Sequence, residues 1–483
     1  MILLLFSKVS VSGMDSIARL FSRFGNYIRS EELRSLCRSH ASDFTRVYKF
    51  PWYDLILYMI FRSEKCVSSE LSKYFNAIGK PENQISKQAL FKAAKKLNVN
   101  ALIKLVHVLP EFFYETDLVK TYHGYILLAE DGTTLELMPE WAAILNYGFA
   151  KNQTVKDEFD ATKAVSRSAA LYDVINGLIV DFTMKRYTDA EMPMAIGHLQ
   201  RTHSLYQDKK VIYLADRNYD SVELFALLEL YGFNYCLRGK NNFFKHYIEK
   251  MASDDEWIEV TIDAAWLKRL KYSFAIERFQ KDPKIRVRVV KRSYTYTDEK
   301  GIEQTQDLIF FTNLPKEEFD SDEIALLYSK RWQLEVSYKT LKSTLEWERY
   351  FSNGTNTETC SIYAKVIYHN LLGIVRKHLD AYLGNQFSNN KYQYQMNVAQ
   401  LNEFLKHHKL VRMLRAGNRS AIRRMLEILL LLIHKIKVPV RPNRHFQRWG
   451  RIVQDSNPHR FSLDGRNYPR VRDYQGVLQT VKP

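Results

Sequence analysis

Two aspartates stand at matching places after two apolar runs. Asp131 follows Tyr125-Ile-Leu-Leu-Ala129 in the stretch Ala129-Glu-Asp-Gly-Thr-Thr134, and Asp216 follows Lys210-Val-Ile-Tyr-Leu-Ala215 in Tyr213-Leu-Ala-Asp-Arg-Asn-Tyr219. Each alone reads as a turn carboxylate that caps its own backbone. Should the two runs be neighbouring strands, their carboxylates emerge side by side. At a few ångströms such groups repel strongly unless a divalent cation lies between them, so the pair calls for Mg²⁺ or Mn²⁺ held through oxygen. A third acid, Glu335, sits in Tyr328-Ser-Lys-Arg-Trp-Gln-Leu-Glu-Val-Ser-Tyr-Lys-Thr-Leu-Lys342. At about 100° per residue, Tyr328, Arg331, Glu335 and Lys342 form one polar stripe of a helix, with Leu327, Leu334, Leu341 and Leu345 on an adjacent one. A solvated charged face would account for that stripe equally well.

These residues need elements to hold them. From Ser16 to about Leu118 apolar residues recur at three- and four-residue spacing, as in Tyr53-Asp-Leu-Ile-Leu-Tyr-Met-Ile-Phe61, which predicts helices. Two of them, Ser69–Phe75 and Ile85–Leu97, flank a Gly79/Pro81 break, and the second carries Lys87, Lys92, Lys95 and Lys96. That pattern suits a helix-turn-helix with a basic recognition helix, or an ordinary helix with a solvated lysine face. From residue 122 the texture changes to strands. Asn176-Gly177 between two β-rich runs is a hairpin signal. The order of three strands, helix, strand, helix, strand is that of a ribonuclease-H-like α/β core, in which the first and fourth strands are neighbours. Residues 240 to 313 read as a mostly β insertion, and Ser321 to Trp347 as one long helix.

The expected organisation is therefore a helical N-terminal DNA-binding domain over 1–118, a core over 119–239, a β-rich insertion over 240–313, the second part of the core over 314–360, and a basic helical C-terminal region over 361–483. From His407 onward there are 17 Lys or Arg against four acids.

Composition narrows the classes. Of 483 residues, 71 are Lys or Arg and 54 Asp or Glu, a net charge of +17, while 46% are hydrophobic. Such a chain buries a sizeable core, which excludes a disordered polyelectrolyte, and its charge favours a polyanionic partner. Cys37, Cys66, Cys236 and Cys360 have no metal-ligand spacing, so neither a disulfide scaffold nor a zinc module is supported. The apolar opening Met1–Phe6 is shorter than a secretory h-region, and Met14 offers an alternative start. The expectation is a cytoplasmic protein associated with chromosomal DNA and not with membranes.

The three motif blocks together resemble the IS4-type insertion-sequence transposases, a branch of the DDE transposase and retroviral-integrase superfamily. Tyr328, Arg331, Glu335 and Lys342 match the spacing Tyr-x2-Arg-x3-Glu-x6-Lys. Asp131-Gly-Thr-Thr134 and Asp216-Arg-Asn-Tyr219 are similar to the other two blocks. The resemblance implies cut-and-paste DNA transposition at a site of Asp131, Asp216 and Glu335 with two Mg²⁺ (or Mn²⁺) ions. Its partners would be double-stranded DNA, at terminal inverted repeats and target, and a second copy of the chain in a synaptic complex. Arg331 and Lys342 would hold phosphates, and Tyr328 would donate to one. Arg217 and Tyr219 either contact DNA or buttress the loop. Trp257 or Trp266 either stacks on a flipped base or packs in the core. Two other classes remain: a catalytically silent DNA-binding regulator derived from a transposase, and a general ribonuclease-H-like nuclease.

Overall fold

The computed structural model describes residues 8–45, 49–62, 66–138, 140–151, 163–297, 303–350, 354–441, 470–472 and 478–480. It divides into two compact units, one of residues 119–134 and 167–338, the other of 1–118, 135–166 and 339–483.

The first unit is built on a sheet. The strands of that sheet are β1 (Tyr125–Leu137), β2 (Ala164–Asp173), β3 (Leu178–Arg186), β4 (Lys210–Ala215), β5 (Asn234–Gly239), β6 (Asp255–Thr261), β7 (Lys284–Thr297) and β8 (Glu303–Thr312), the end of β1 and the start of β2 being counted with the other unit. They lie in the order β3-β2-β1-β4-β5-β8-β7-β6. Tyr125 to Glu130 are all buried, as a strand covered on both faces requires. The hairpin expected at Asn176-Gly177 is present: Asp173 accepts the N–H groups of Ile175 (3.1 Å) and Asn176 (3.0 Å), and Gly177 takes φ +74°. Helices Glu191–Thr202 and Val222–Leu230 connect β3 to β4 and β4 to β5. The parallel pairings β1·β4 and β4·β5 follow from these crossovers.

The insertion continues this sheet. β8 pairs antiparallel with β5 from Cys236↔Thr312 to Gly239↔Ile309, and β7 and β6 follow outward. Buried Arg288 fastens the addition. It donates to both carboxylate oxygens of Asp255 (2.8 and 2.7 Å) and to the carbonyls of Leu314 (3.1 Å) and Phe319 (2.7 Å). Burial works against the Asp255 carboxylate, yet Arg288, Ser321 and Lys316 outweigh it and hold it down at about 2.

The expected single helix from Ser321 to Trp347 is instead broken. Helix Ser321–Ser329 ends in a tight turn at Lys330 and Arg331, helix Trp332–Lys339 follows, and Thr340–Thr344 form a π-helical turn. The cause is visible in the backbone. The N–H groups of Lys330, Arg331, Gln333 and Leu334 each bond three residues back, at 2.9–3.1 Å, so the chain winds more tightly than an α-helix there. The arithmetic of 100° per residue therefore fails across Arg331.

The second unit is mostly helical. Its long helix Thr355–Gln386 is buried almost all round from Thr357 to Leu372. Helices Val67–Ala77 and Lys87–Lys96 stand on either side of a 3₁₀ turn, Pro81–Asn83. Ser86 caps the latter by accepting the Ala89 N–H at 3.2 Å. The N- and C-terminal regions meet within this unit. Arg415 grips buried Asp54 (2.5 and 3.0 Å), which also accepts from Tyr74 (2.9 Å), while Arg419 reaches Asp15 (2.5 Å). Part of the basic C-terminal charge is thus used to hold helices together. The remainder of that tail, residues 442–469, 473–477 and 481–483, lies outside the described residues, which hold only short strands at Arg470–Arg472 and Leu478–Thr480. Among the described residues no helix is long and apolar enough to cross a membrane.

Candidate active site on the β1–β4 edge

The last pair of the β1·β4 ladder is Glu130↔Ala215. The next residues, Asp131 and Asp216, leave it side by side, on strands about 5 Å apart. β1 does not stop at Asp131, as the sequence suggested, but runs on to Leu137; what ends there is its pairing with β4. Asp216 ends β4 and caps the short turn Arg217–Tyr219, accepting the Asn218 N–H at 2.8 Å. Asp131 accepts the N–H of Gly132 at 2.8 Å, and its carbonyl accepts the hydroxyl of buried Tyr338 at 2.7 Å.

Glu335 comes to the same place through Arg331. One guanidinium nitrogen, Nη1, lies 2.7 Å from Asp131 Oδ2, and Nη2 lies 2.7 Å from Glu335 Oε1. The guanidinium carbon stands 5.6 Å from the centre of the Tyr328 ring, which itself packs on Phe310 at 5.2 Å. Burial pushes the Asp131 carboxyl up to about 6; Arg331 and the Gly132 N–H pull it down, and Asp216 and Glu335 push it further up. Asp131 therefore feels both of the other acids.

Two more carboxylates, absent from the motif blocks, border this edge. Glu191 opens the helix after β3, takes a 3.0 Å ion pair from Arg167, and lies 3.4 Å from the Tyr219 hydroxyl. A Cβ on Gly132 would lie 2.3 Å from the Glu191 carboxyl carbon, so a larger residue there would push that carboxylate aside from its pair with Arg167. Asp220 accepts the Lys240 N–H at 2.6 Å, while its Oδ1 is buried without a hydrogen-bond partner. Burial raises its carboxyl to about 7, with Asp216 adding to the effect. Neither residue carries a spacing signal in the sequence.

The other expected site residues divide. Arg217 is exposed, whereas Tyr219 is fully buried with its hydroxyl toward Glu191. Trp257 is half-buried beneath the Arg286 guanidinium at 4.8 Å, and Trp266 is half-buried against Phe243 and Phe244. The exposed indole beside the site is Trp332, 59% accessible and unremarked in the sequence reading. Lys342 belongs to the mostly helical unit, in the π-helical turn, with its Nζ 4.0 Å from Glu348. Lys87, Lys92, Lys95 and Lys96 are all exposed on their helix, and Lys96 pairs with Asp43 at 3.3 Å.

Hard carboxylate oxygens in excess of local positive charge suit a divalent cation such as Mg²⁺. As the side chains stand, no three His, Cys, Asp or Glu among the described residues are grouped closely enough to hold one ion. Arg331 takes that place between Asp131 and Glu335.

No curated protein matches this chain. Among solved structures it is similar to a piggyBac transposase synaptic complex with hairpin DNA, at 10% identity over 92% of this chain and 85% of that one, with a TM-score of 0.36. The family described as the transposase DDE domain matches residues 125–371, just over half of the chain and all three acids, and the chain belongs to that family.

Proposed function

We propose that the protein is an IS4-type transposase that moves an insertion sequence by cutting its DNA ends and joining the freed 3′-hydroxyls to target DNA. One observation carries the reading: Asp131 and Asp216 leave neighbouring parallel strands together, and Glu335 is linked to Asp131 through a shared guanidinium. Asp131, Asp216 and Glu335 would hold two Mg²⁺ or Mn²⁺ ions, which supply an activated water or 3′-hydroxyl and a stabilised leaving oxygen. The chain's own part is positioning. Tyr338 holds the Asp131 backbone carbonyl, the Gly132 N–H holds its carboxylate, and the Asn218 N–H orients Asp216. Exposed Arg217, together with Lys342 and the lysines of helix Lys87–Lys96, would attract phosphates without reading sequence. Joining two ends calls for a second copy of the chain in the DNA complex.

The test uses the full chain with duplex DNA bearing the terminal inverted repeats that flank its gene. Mg²⁺-dependent nicking at those ends is expected, lost by roughly three orders of magnitude or more in Glu335→Gln and Asp131→Asn. Tight end-specific binding without nicking would favour a silent regulator. Cleavage indifferent to the ends would favour a general nuclease.

A further inference from the structure

Two arginines in the sheet unit show what a permanent and a temporary partner look like. Arg288 is wholly buried and donates through all three of its nitrogens to Asp255 and two carbonyls. Arg331 donates to one oxygen each of Asp131 and Glu335 and otherwise lies against the Tyr328 side chain, its buried Nε–H has no acceptor, and its side chain keeps 12% exposure. Its position is set by charge and not by a completed hydrogen-bond set. It also stands in the tight turn between two helices, where the backbone departs from α geometry.

We propose that Arg331 is the built-in counter-ion of the metal-free site: it neutralises Asp131 and Glu335 until divalent cations enter, and must then give up both carboxylates. The inference rests on the reading of Asp131, Asp216 and Glu335 as the metal-holding set. A guanidinium stays charged at any working pH, so it cannot yield by losing a proton. It can only move, because a cation bound to the same two carboxylates would face it at close range. Without Arg331, three carboxylates at this edge would lack their main compensating charge, and any hard cation would be drawn in more strongly. Released from the acids, the guanidinium fork becomes available to a DNA phosphate, the role its spacing suggested. Metal entry and phosphate capture would then be coupled through one side chain.

The experiment measures Mn²⁺ binding to the full chain without DNA, by calorimetry and by the paramagnetic signal of free Mn²⁺, for the wild type, Arg331→Met, Arg331→Lys, Asp131→Asn and Glu335→Gln. Thermal unfolding of each variant, with and without Mn²⁺, establishes that it is folded. Arg331→Met should bind Mn²⁺ at least tenfold more tightly than the wild type and gain more melting temperature from it. Arg331→Lys, a charge without the fork, should fall between them. A purely structural role would give the opposite sign, because a disturbed site binds metal less well. Equal or weaker binding by Arg331→Met, with binding still lost in Asp131→Asn and Glu335→Gln, overturns the counter-ion role and leaves the metal site standing. Binding insensitive to Asp131 and Glu335 in every variant overturns the metal site and the counter-ion role with it.

Discussion

Glu130 and Asp131 are consecutive on β1, and because strand side chains alternate between faces they meet opposite surroundings. Glu130 is fully buried, 2.9 and 3.1 Å from His198 Nδ1, and His198 Nε2 reaches Thr183 at 2.9 Å. Arg201 extends the network to Thr183 (2.9 Å) and Asp181 (2.7 Å). Burial raises the Glu130 carboxyl against the pull of His198; on the imidazole, burial is outweighed by Glu130 and Asp181, which push it up. Asp131 has a partly exposed partner on a broken helix instead. Two acids one residue apart thus serve different ends: a satisfied buried network fixes the strand, and an incompletely bonded pair leaves its neighbour open to exchange.

The contrast is easiest to break from the buried side. His198→Ala should destabilise the protein by about 3–5 kcal/mol, measured by urea unfolding, because it strands the Glu130 carboxyl in the core. A loss near that expected for a surface pair, under about 1 kcal/mol, would remove the distinction. Next in size is Gly132→Ala, whose methyl would meet the Glu191 carboxyl and cost about 1–3 kcal/mol along with DNA cleavage. Adding Glu191→Ala should recover part of both losses; no recovery would mean that Glu191 is not what requires the glycine.

Smallest is Asp131→Asn in the metal-free protein, and its sign is opposite. The folded carboxyl sits at about 6, above its ordinary value near 4. A raised carboxyl contributes stability that is fully present below pH 4 and lost as pH rises through 6. At pH 7 to 8 the ionised group is a cost, so asparagine should gain about 1–2 kcal/mol there while abolishing activity. The variant should also lack the wild-type fall in unfolding free energy between pH 4 and 6. A destabilised asparagine variant would show that Arg331 holds Asp131 as firmly as His198 holds Glu130.

Much of this was legible in the residues. Apolar runs ending at Asp131 and Asp216, with an Asn-Gly hairpin between them, suffice to place the acids on adjacent strands, because local periodicity and crossover order decide that topology. Glu335 is legible only through the resemblance of its motif block, since its helical spacing alone suits a solvated charged face as well. The partner of Arg331 is not, since its side chain suits phosphate and carboxylate equally and only the fold decides which lies within reach. The break at Lys330 and Arg331 carries no glycine or proline to announce it. Glu191 and Asp220 belong to no pattern. The ion pair between Asp54 and Arg415 spans most of the chain, and distant pairing of this kind leaves no mark in local sequence.

The β5·β8 pairing has a consequence for how such a chain can change. Residues 240 to 312 are not a detachable module, because removing them would strip β5 of its antiparallel neighbour and bare a row of amide and carbonyl groups to other chains. Shortening can be tolerated at the outer hairpin of β7 and β8, far from that junction, whereas a clean excision would turn a closed flank into an adhesive one. Evolution, or an engineer, can trim this insert from its tip but not from its root.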